Sequence, residues 1–168
     1  MSGGFLNHKD YCTLISNQED KDILTRKLFE VNTRLFSSSE QYRDIILSCC
    51  DYIQWAAQTE KIGYKKPHGF SGANGGIPFN IIALANGTVM INPIIVETSG
   101  ERTSLSNCGS LLLTAPILIK RFARVVVNYL EPASTGELIT RQVTGYLPTV
   151  QHEIDHNNGI LITDRKVC

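Results

Sequence analysis

Residues 151–159 read QHEIDHNNG. His152 and His156 are four apart, so on a helix they project from one face a turn from each other, within reach of one metal ion through their imidazoles. Glu153 stands beside the first of them and can lean toward a water on that ion without being a ligand, the general-base arrangement of HExxH hydrolases. Two histidines at this spacing also occur on solvated helix faces. With only four histidines in 168 residues, however, a chance HExxH is expected in well under about one such chain in a hundred. The motif therefore predicts a metal site on a helix near the end of the chain.

A catalytic ion of this type takes three protein ligands and keeps a position open for water, so one ligand is missing from the helix. In one protease pattern it is a histidine six residues after the second, and here that position is Ile162. In another it is a downstream glutamate, and none stands between His156 and Cys168. The third ligand is therefore expected upstream, among cysteine, histidine, aspartate or glutamate on a loop or strand. Cys108 stands out: it sits in SNCGSLLL, at the edge of an apolar run, where a turn can aim its thiolate at an ion.

The rest of the chain is ordinary for a globular protein of one domain, 1–168: 42% apolar and 19% charged residues, long enough to bury a core without disulfides. Sixteen basic side chains balance sixteen acidic ones, which gives no electrostatic reason to expect nucleic acid or an anionic membrane as partner. No segment has the run of about eighteen apolar residues that a membrane span needs, and MSGGFLNHKDYCTLIS lacks the pattern of a signal peptide. A cytoplasmic protein is expected. The five cysteines, Cys12, Cys49, Cys50, Cys108 and Cys168, are an odd count with an adjacent pair in a helical pattern, a poor disulfide framework.

Spacing outlines the elements. Residues 19–30 suggest a short helix; 37–61 suggest a long one, with Ser39 as cap and Ile45, Ile46, Cys49, Tyr52, Ile53 and Ala56 recurring at three and four. KPHGFSGANGGIPF then reads as a glycine-rich loop. NIIALAN and TVMINPIIVET flank Asn86-Gly87, a hairpin signal, and ILIKRFARVVVNYLE and GELITRQVTG read as two more strands. Leu147–Asn158 is expected to be the second long helix, with Pro148 in its first turn and Gly159 just past its end, and GILITD a short terminal strand. The fold class expected is α+β: mostly antiparallel strands packed around a central C-terminal helix that carries HExxH.

Three stretches, in order, resemble the signature motifs of the peptide deformylase family. GFSGAN, 69–74, resembles the first, a glycine, an apolar residue, two small residues, any residue and a glutamine. SNCGS, 106–110, resembles the second, usually Glu-Gly-Cys-Leu-Ser, and QHEIDH is the third without departure. INPIIVETSGE, 91–101, also resembles the family's strand and turn.

The resemblance implies removal of the formyl group from N-formylmethionyl nascent peptides, with one divalent ion, Fe2+ in the cell and Zn2+, Ni2+ or Co2+ in its place. Carried over by position, Cys108, His152 and His156 are the metal ligands, Glu153 is the general acid/base, and Asn74 and the Gly109 backbone N–H face the oxyanion. Gly69 and Phe70 would lie along the substrate, and Tyr146 and Thr149, with Pro148, near the methionine side chain. The departures are Asn74 for glutamine, Ser106 for a carboxylate, Asn107 for glycine and Gly109 for leucine. They motivate an alternative, a deformylase-like peptide-binding protein with lost or narrowed activity; a metallopeptidase of another fold has HExxH alone in its favour. The family's role implies the ribosome as a partner. The chain ends soon after the third motif, where many bacterial members carry a further helix, so it resembles short phage or organellar forms; a phage-encoded form would act in the host cytoplasm.

Overall fold

The computed structural model describes residues 18–59, 68–111, 113 and 115–167. Cys12, Cys168 and most of the insertion EKIGYKKPH lie outside them. Five strands form one antiparallel sheet in the order β1 (Gly69–Ser71), β2 (Ile81–Leu84), β3 (Val89–Ser106), β4 (Ile117–Pro132), β5 (Leu138–Gly145). The helices are α1 (Gln18–Leu24), α2 (Thr33–Ser38), α3 (Glu40–Gln58) and α4 (Pro148–Asn157).

The sheet is sandwiched because its strands obey a period of two. On one side Ile81, Ala83, Val89 and Ile91 meet Ile46, Cys49, Cys50, Ile53 and Ala57 of α3. On the other, Ile82, Met90, Val125 and Val127 meet Val150 and Ile154 of α4. Ile46, Ile53, Ile81 and Ile82 are fully buried, each worth roughly 1.5–3 kcal/mol relative to exposure. Ser39 caps α3, its hydroxyl accepting from Tyr42 N at 3.3 Å. Cys49 and Cys50 are free and buried, as expected of cysteines that act as small apolar residues.

Several expected boundaries move. The first helix stops at Leu24, and Lys27 and Phe29 instead bridge to Asn158 and Phe79. Helix α2 was not foreseen; Asn32 nucleates it by accepting from Leu35 N at 3.0 Å. The glycine-rich segment contains β1, whose three residues pair with Leu84, Ala83 and Ile82. Strand β3 runs on past Thr98 to Ser106 as a long ribbon with β4. GILITD is not a strand: Asp164 accepts from Leu161 N at 2.8 Å and closes a 3₁₀ turn, Ile162–Arg165, after which Lys166 makes one bridge to Ile119. Among the described residues no helix is long and apolar enough to cross a membrane.

Candidate metal centre

Helix α4 begins where the backbone turns sharply at Leu147, φ 29°, and Pro148 occupies its first turn, where a missing N–H costs nothing. It ends at Gly159, φ 74°, whose N–H returns to His156 O. Gln151 fixes the helix to β4 where β5 has ended: its Oε1 accepts from Phe122 N, and its Nε2 donates to Phe122 O and Tyr146 O. A side-chain amide thus continues the ladder that the strand leaves off.

On the neighbouring face His152 and His156 bring their Nε2 atoms to 3.1 Å, with rings at 89°. Cys108, in the loop after β3, places Sγ 3.3 Å from His156 Nε2. The three ligand atoms lie within 4.8 Å of one another. An ion bonded to two nitrogens and a sulfur at about 2.0–2.3 Å holds them about 3.3–3.6 Å apart at a tetrahedral centre, so the cluster fits one. The donor chemistry agrees: one thiolate and two imidazoles suit a borderline divalent ion. Burial lowers both imidazoles, His152 to about 3 and His156 to about 4; the His156 ring and then Arg121 add to the effect at His152. Both rings are therefore neutral at pH 7, the form that ligates.

Glu153 is buried, and among the described residues its Oε2 has no hydrogen-bond partner. Burial raises its carboxyl to about 8, against the opposing pull of the Ser71 hydroxyl and the Arg121 charge. The Ser71 hydroxyl, with a single hydrogen to give, also stands 2.6 Å from Asn74 Oδ1. Gly69 is what lets Glu153 approach β1: a Cβ there would lie 2.7 Å from Thr149 Cγ2 and 3.0 Å from Glu153 Cγ.

The other residues singled out fall into two groups. Asn74 is buried, accepting from Ser71 N at 3.1 Å and donating from Nδ2 to Ser110 Oγ at 2.6 Å, so its amide is oriented between the glycine-rich turn and the loop that carries Cys108. Gly109 is exposed, with open space where a Cβ would stand. Strand β1 alternates, so the Phe70 ring enters the α3 core while Gly69 faces α4. Tyr146 is held by β3, its hydroxyl sharing a hydrogen bond with Ser104 at 3.3 Å and its ring lying under Arg102.

Sequence reasoning missed four residues that shape the centre. Arg121 Nη2 lies 3.2 Å from His152 Nδ1 and its Nη1 donates to Asp155 at 2.8 Å. Asn157 donates to Asn80 Oδ1 and Ile81 O, tying the end of α4 to β2. Ser110 holds Asn74. Asp155 and Asn157 lie in or next to the HExxH stretch and Ser110 closes the SNCGS stretch, so their places were legible signals; Arg121 carried none.

An antiparallel sheet with a helix that sets two histidines against a thiolate, and a buried glutamate beside them, has the architecture of a HExxH metallohydrolase. The family model for polypeptide deformylase matches residues 55–167. The chain belongs to that family. It is 32% identical over 143 residues to peptide deformylase 2 of Geobacillus stearothermophilus, covering 76% of each chain. Its fold matches the crystal structure of the Thermotoga maritima peptide deformylase with a TM-score of 0.72 at 21% identity, over 96% of this chain and all of that one. It also matches an Acinetobacter baumannii class I type b peptide deformylase bound to Met-Ala-Ser, with a TM-score of 0.68 at 22% identity, over 92% and 96% of the two chains.

Proposed function

We propose that the chain is one catalytic domain, 1–168, built around helix α4, which removes the formyl group from the N-terminal formyl-methionine of nascent polypeptides. Membership of the family supports the reaction. The observation that carries it to this chain is the convergence of Cys108 Sγ with two α4 imidazoles next to a buried, partly unpartnered Glu153. Cys108, His152 and His156 hold one divalent ion, Fe2+ in the cell, and Glu153 is the general acid/base. Bound there, the ion supplies Lewis acidity and makes a water acidic enough to attack at neutral pH.

The chain's own groups then divide the work. Glu153, in the ionised form that a cation bound beside it would favour against the burial that raises its carboxyl, takes the proton of the attacking water and returns it to the departing amine. Asn74, oriented by Ser110 and Ser71, and the N–H of Gly109 stabilise the negative oxygen that develops on the formyl carbon. Gly69 and Phe70 offer their backbone to the substrate chain, and Thr149 and Tyr146 border the methionine side chain. The Met-Ala-Ser bound to the Acinetobacter relative supports a peptide of that kind as ligand. The substrate's source makes the ribosome the proposed partner and the cytoplasm the proposed setting.

The test is formate release from formyl-Met-Ala-Ser by anaerobically purified, iron-loaded protein, with Glu153→Gln beside it. Formate from the wild type and at least about a hundredfold less from the variant is the expected result. No formate from a protein carrying a full complement of metal would reject the reading.

A further inference from the structure

Two arginines converge on one buried carboxylate behind the ligand cluster. Asp155, one residue before His156, is 6% exposed. Arg121 of β4, its side chain 3% exposed, donates Nη1 to Asp155 Oδ2 at 2.8 Å. Arg165, from the 3₁₀ turn after α4, donates Nη2 to Oδ1 at 2.7 Å and Nε to Oδ2 at 3.2 Å. Burying two cations on one anion is costly unless geometry and hydrogen bonds are well satisfied. A guanidinium is a rigid planar fork, so seating Nη1 on Asp155 also aims Nη2. That nitrogen lies 3.2 Å from His152 Nδ1, but a guanidinium only donates and does not accept the Nδ1–H of an imidazole ligating through Nε2, so the two arginines reach the cluster through Asp155, between the two histidines of α4.

The same turn also reaches a ligand directly. Ile162, fully buried, shares a cluster with Ile119 and Cys108. The four residues Ile162–Arg165 thus back the cluster at two points, one apolar at Cys108 and one ionic at Asp155, the neighbour of His156.

We propose that the C-terminal turn is a strap for the metal cluster, in which Arg165 and Arg121 are positioning residues for helix α4 and its two histidines, acting through the shared carboxylate of Asp155. The inference rests on the metal reading given above. Contacts that hold a metal's ligands in place are part of the site, and removing one weakens metal binding by about 10–100-fold. Arg165 is the accessible end of the chain of contacts, with 36% of its side chain exposed, so it can be changed without opening the core.

The experiment measures Co2+ affinity by competition with a chelator, anaerobically, following the visible absorption of thiolate-ligated cobalt, in wild type, Arg165→Gln, Arg165→Lys, Cys108→Ala and Lys120→Gln. Lys120→Gln breaks the exposed Lys120–Glu101 pair on the same strand and controls for generic loss of an ion pair. Arg165→Gln is expected to bind Co2+ about tenfold more weakly, Arg165→Lys to recover part of the loss, and Lys120→Gln to match wild type. Unchanged Co2+ affinity in Arg165→Gln, with only its melting temperature lowered, would overturn the strap. If Arg165→Gln does not fold, Arg165→Lys decides: affinity below wild type supports the strap and equal affinity overturns it. A wild type that binds no Co2+ overturns the metal reading and the strap together, whereas wild-type binding that disappears in Cys108→Ala but persists in Arg165→Gln overturns the strap alone.

Discussion

Gly69 lies so close to Glu153 that a Cβ on the glycine would stand 3.0 Å from the glutamate Cγ and 3.1 Å from its Oε1. It would also stand 2.7 Å from Cγ2 of Thr149, a β-branched side chain that helix geometry leaves few rotamers to escape to. Space, not backbone angle, makes this position a glycine. Gly69→Ala should therefore move the carboxylate: kcat/KM is expected to fall at least about tenfold, because small displacements of a catalytic group are costly. Stability should fall by about 1–3 kcal/mol, the usual cost of overpacking. Steady-state kinetics beside a urea titration checks both, and an unchanged rate would place Glu153 outside the reaction.

The buried carboxyl sets a pH signature for the metal-free protein. Glu153 is raised from an ordinary 4.5 to about 8, so its contribution to stability is fully present below about 4.5 and is lost as pH rises through about 8. Glutamine does not titrate. The melting temperature of Glu153→Gln minus that of wild type should therefore increase from pH 4.5 to 8 and level off above. His152 and His156 move the other way: with values lowered from 6.5 to about 3 and about 4, their contribution is present above 6.5 and lost as pH falls through 4 and 3. They are common to both proteins and cancel in the difference. A flat difference across pH 4.5–8 would mean that water reaches the Glu153 carboxylate.

How far these features could be read from sequence depends on the range of the forces that set them. Helix α4 was legible because HExxH, Pro148 and Gly159 all act within a turn or two. The hairpin at Asn86-Gly87 and the strands on either side were legible from local turn chemistry and a period of two. Strand β1 was not: Gly-Phe-Ser has no strand preference, and pairing with Leu84, Ala83 and Ile82 makes it one. Its alternation then sent Phe70 into the core. GILITD has strand composition, but the Asp164 carboxylate captures Leu161 N before a ladder forms. Arg121 lies in ILIKRFAR, where a basic residue reads as a solvent face; its partner Asp155 is 34 residues away on a helix. Of the proposed ligands, the histidines announce themselves by spacing, whereas Cys108 needed the argument that a ligand was missing.

At Gly109 the structure predicts a gain. Among the described residues nothing lies within 4 Å of where a Cβ would stand, and its φ is not among the positive ones. Gly109→Ala should stabilise the protein by about 0.4–1 kcal/mol through the unfolded chain's lost freedom. If the Gly109 N–H serves the oxyanion, a stiffer backbone aims it better, so kcat should rise while KM holds. Thermal melting and formate release test the two halves separately. A stabilised variant with reduced kcat would show that the loop needs its glycine during turnover.

Gly159 and Gly136 form a matched pair for separating conformational strain from steric contact. Both have positive φ, 74° and 79°, where a side chain costs roughly 1–2 kcal/mol. Around Gly136 nothing lies within 4 Å, whereas a Cβ on Gly159 would sit 2.1 Å from Thr25 O and 2.6 Å from Thr25 C. Those are backbone atoms, held by the bond from Leu28 N to Asn157 O and the bridge from Lys27 to Asn158. Gly136→Ala should therefore cost about 1–2 kcal/mol. Gly159→Ala should cost that and about 1–3 kcal/mol more for the clash, because the end of α4 must leave the segment after α1. Since His156 lies three residues before Gly159, Gly159→Ala should also weaken Co2+ binding, and Gly136→Ala should not. Urea titrations of both variants with a cobalt competition decide it: equal stability losses would show that the segment at Thr25 yields freely, and the helix end would then not depend on it.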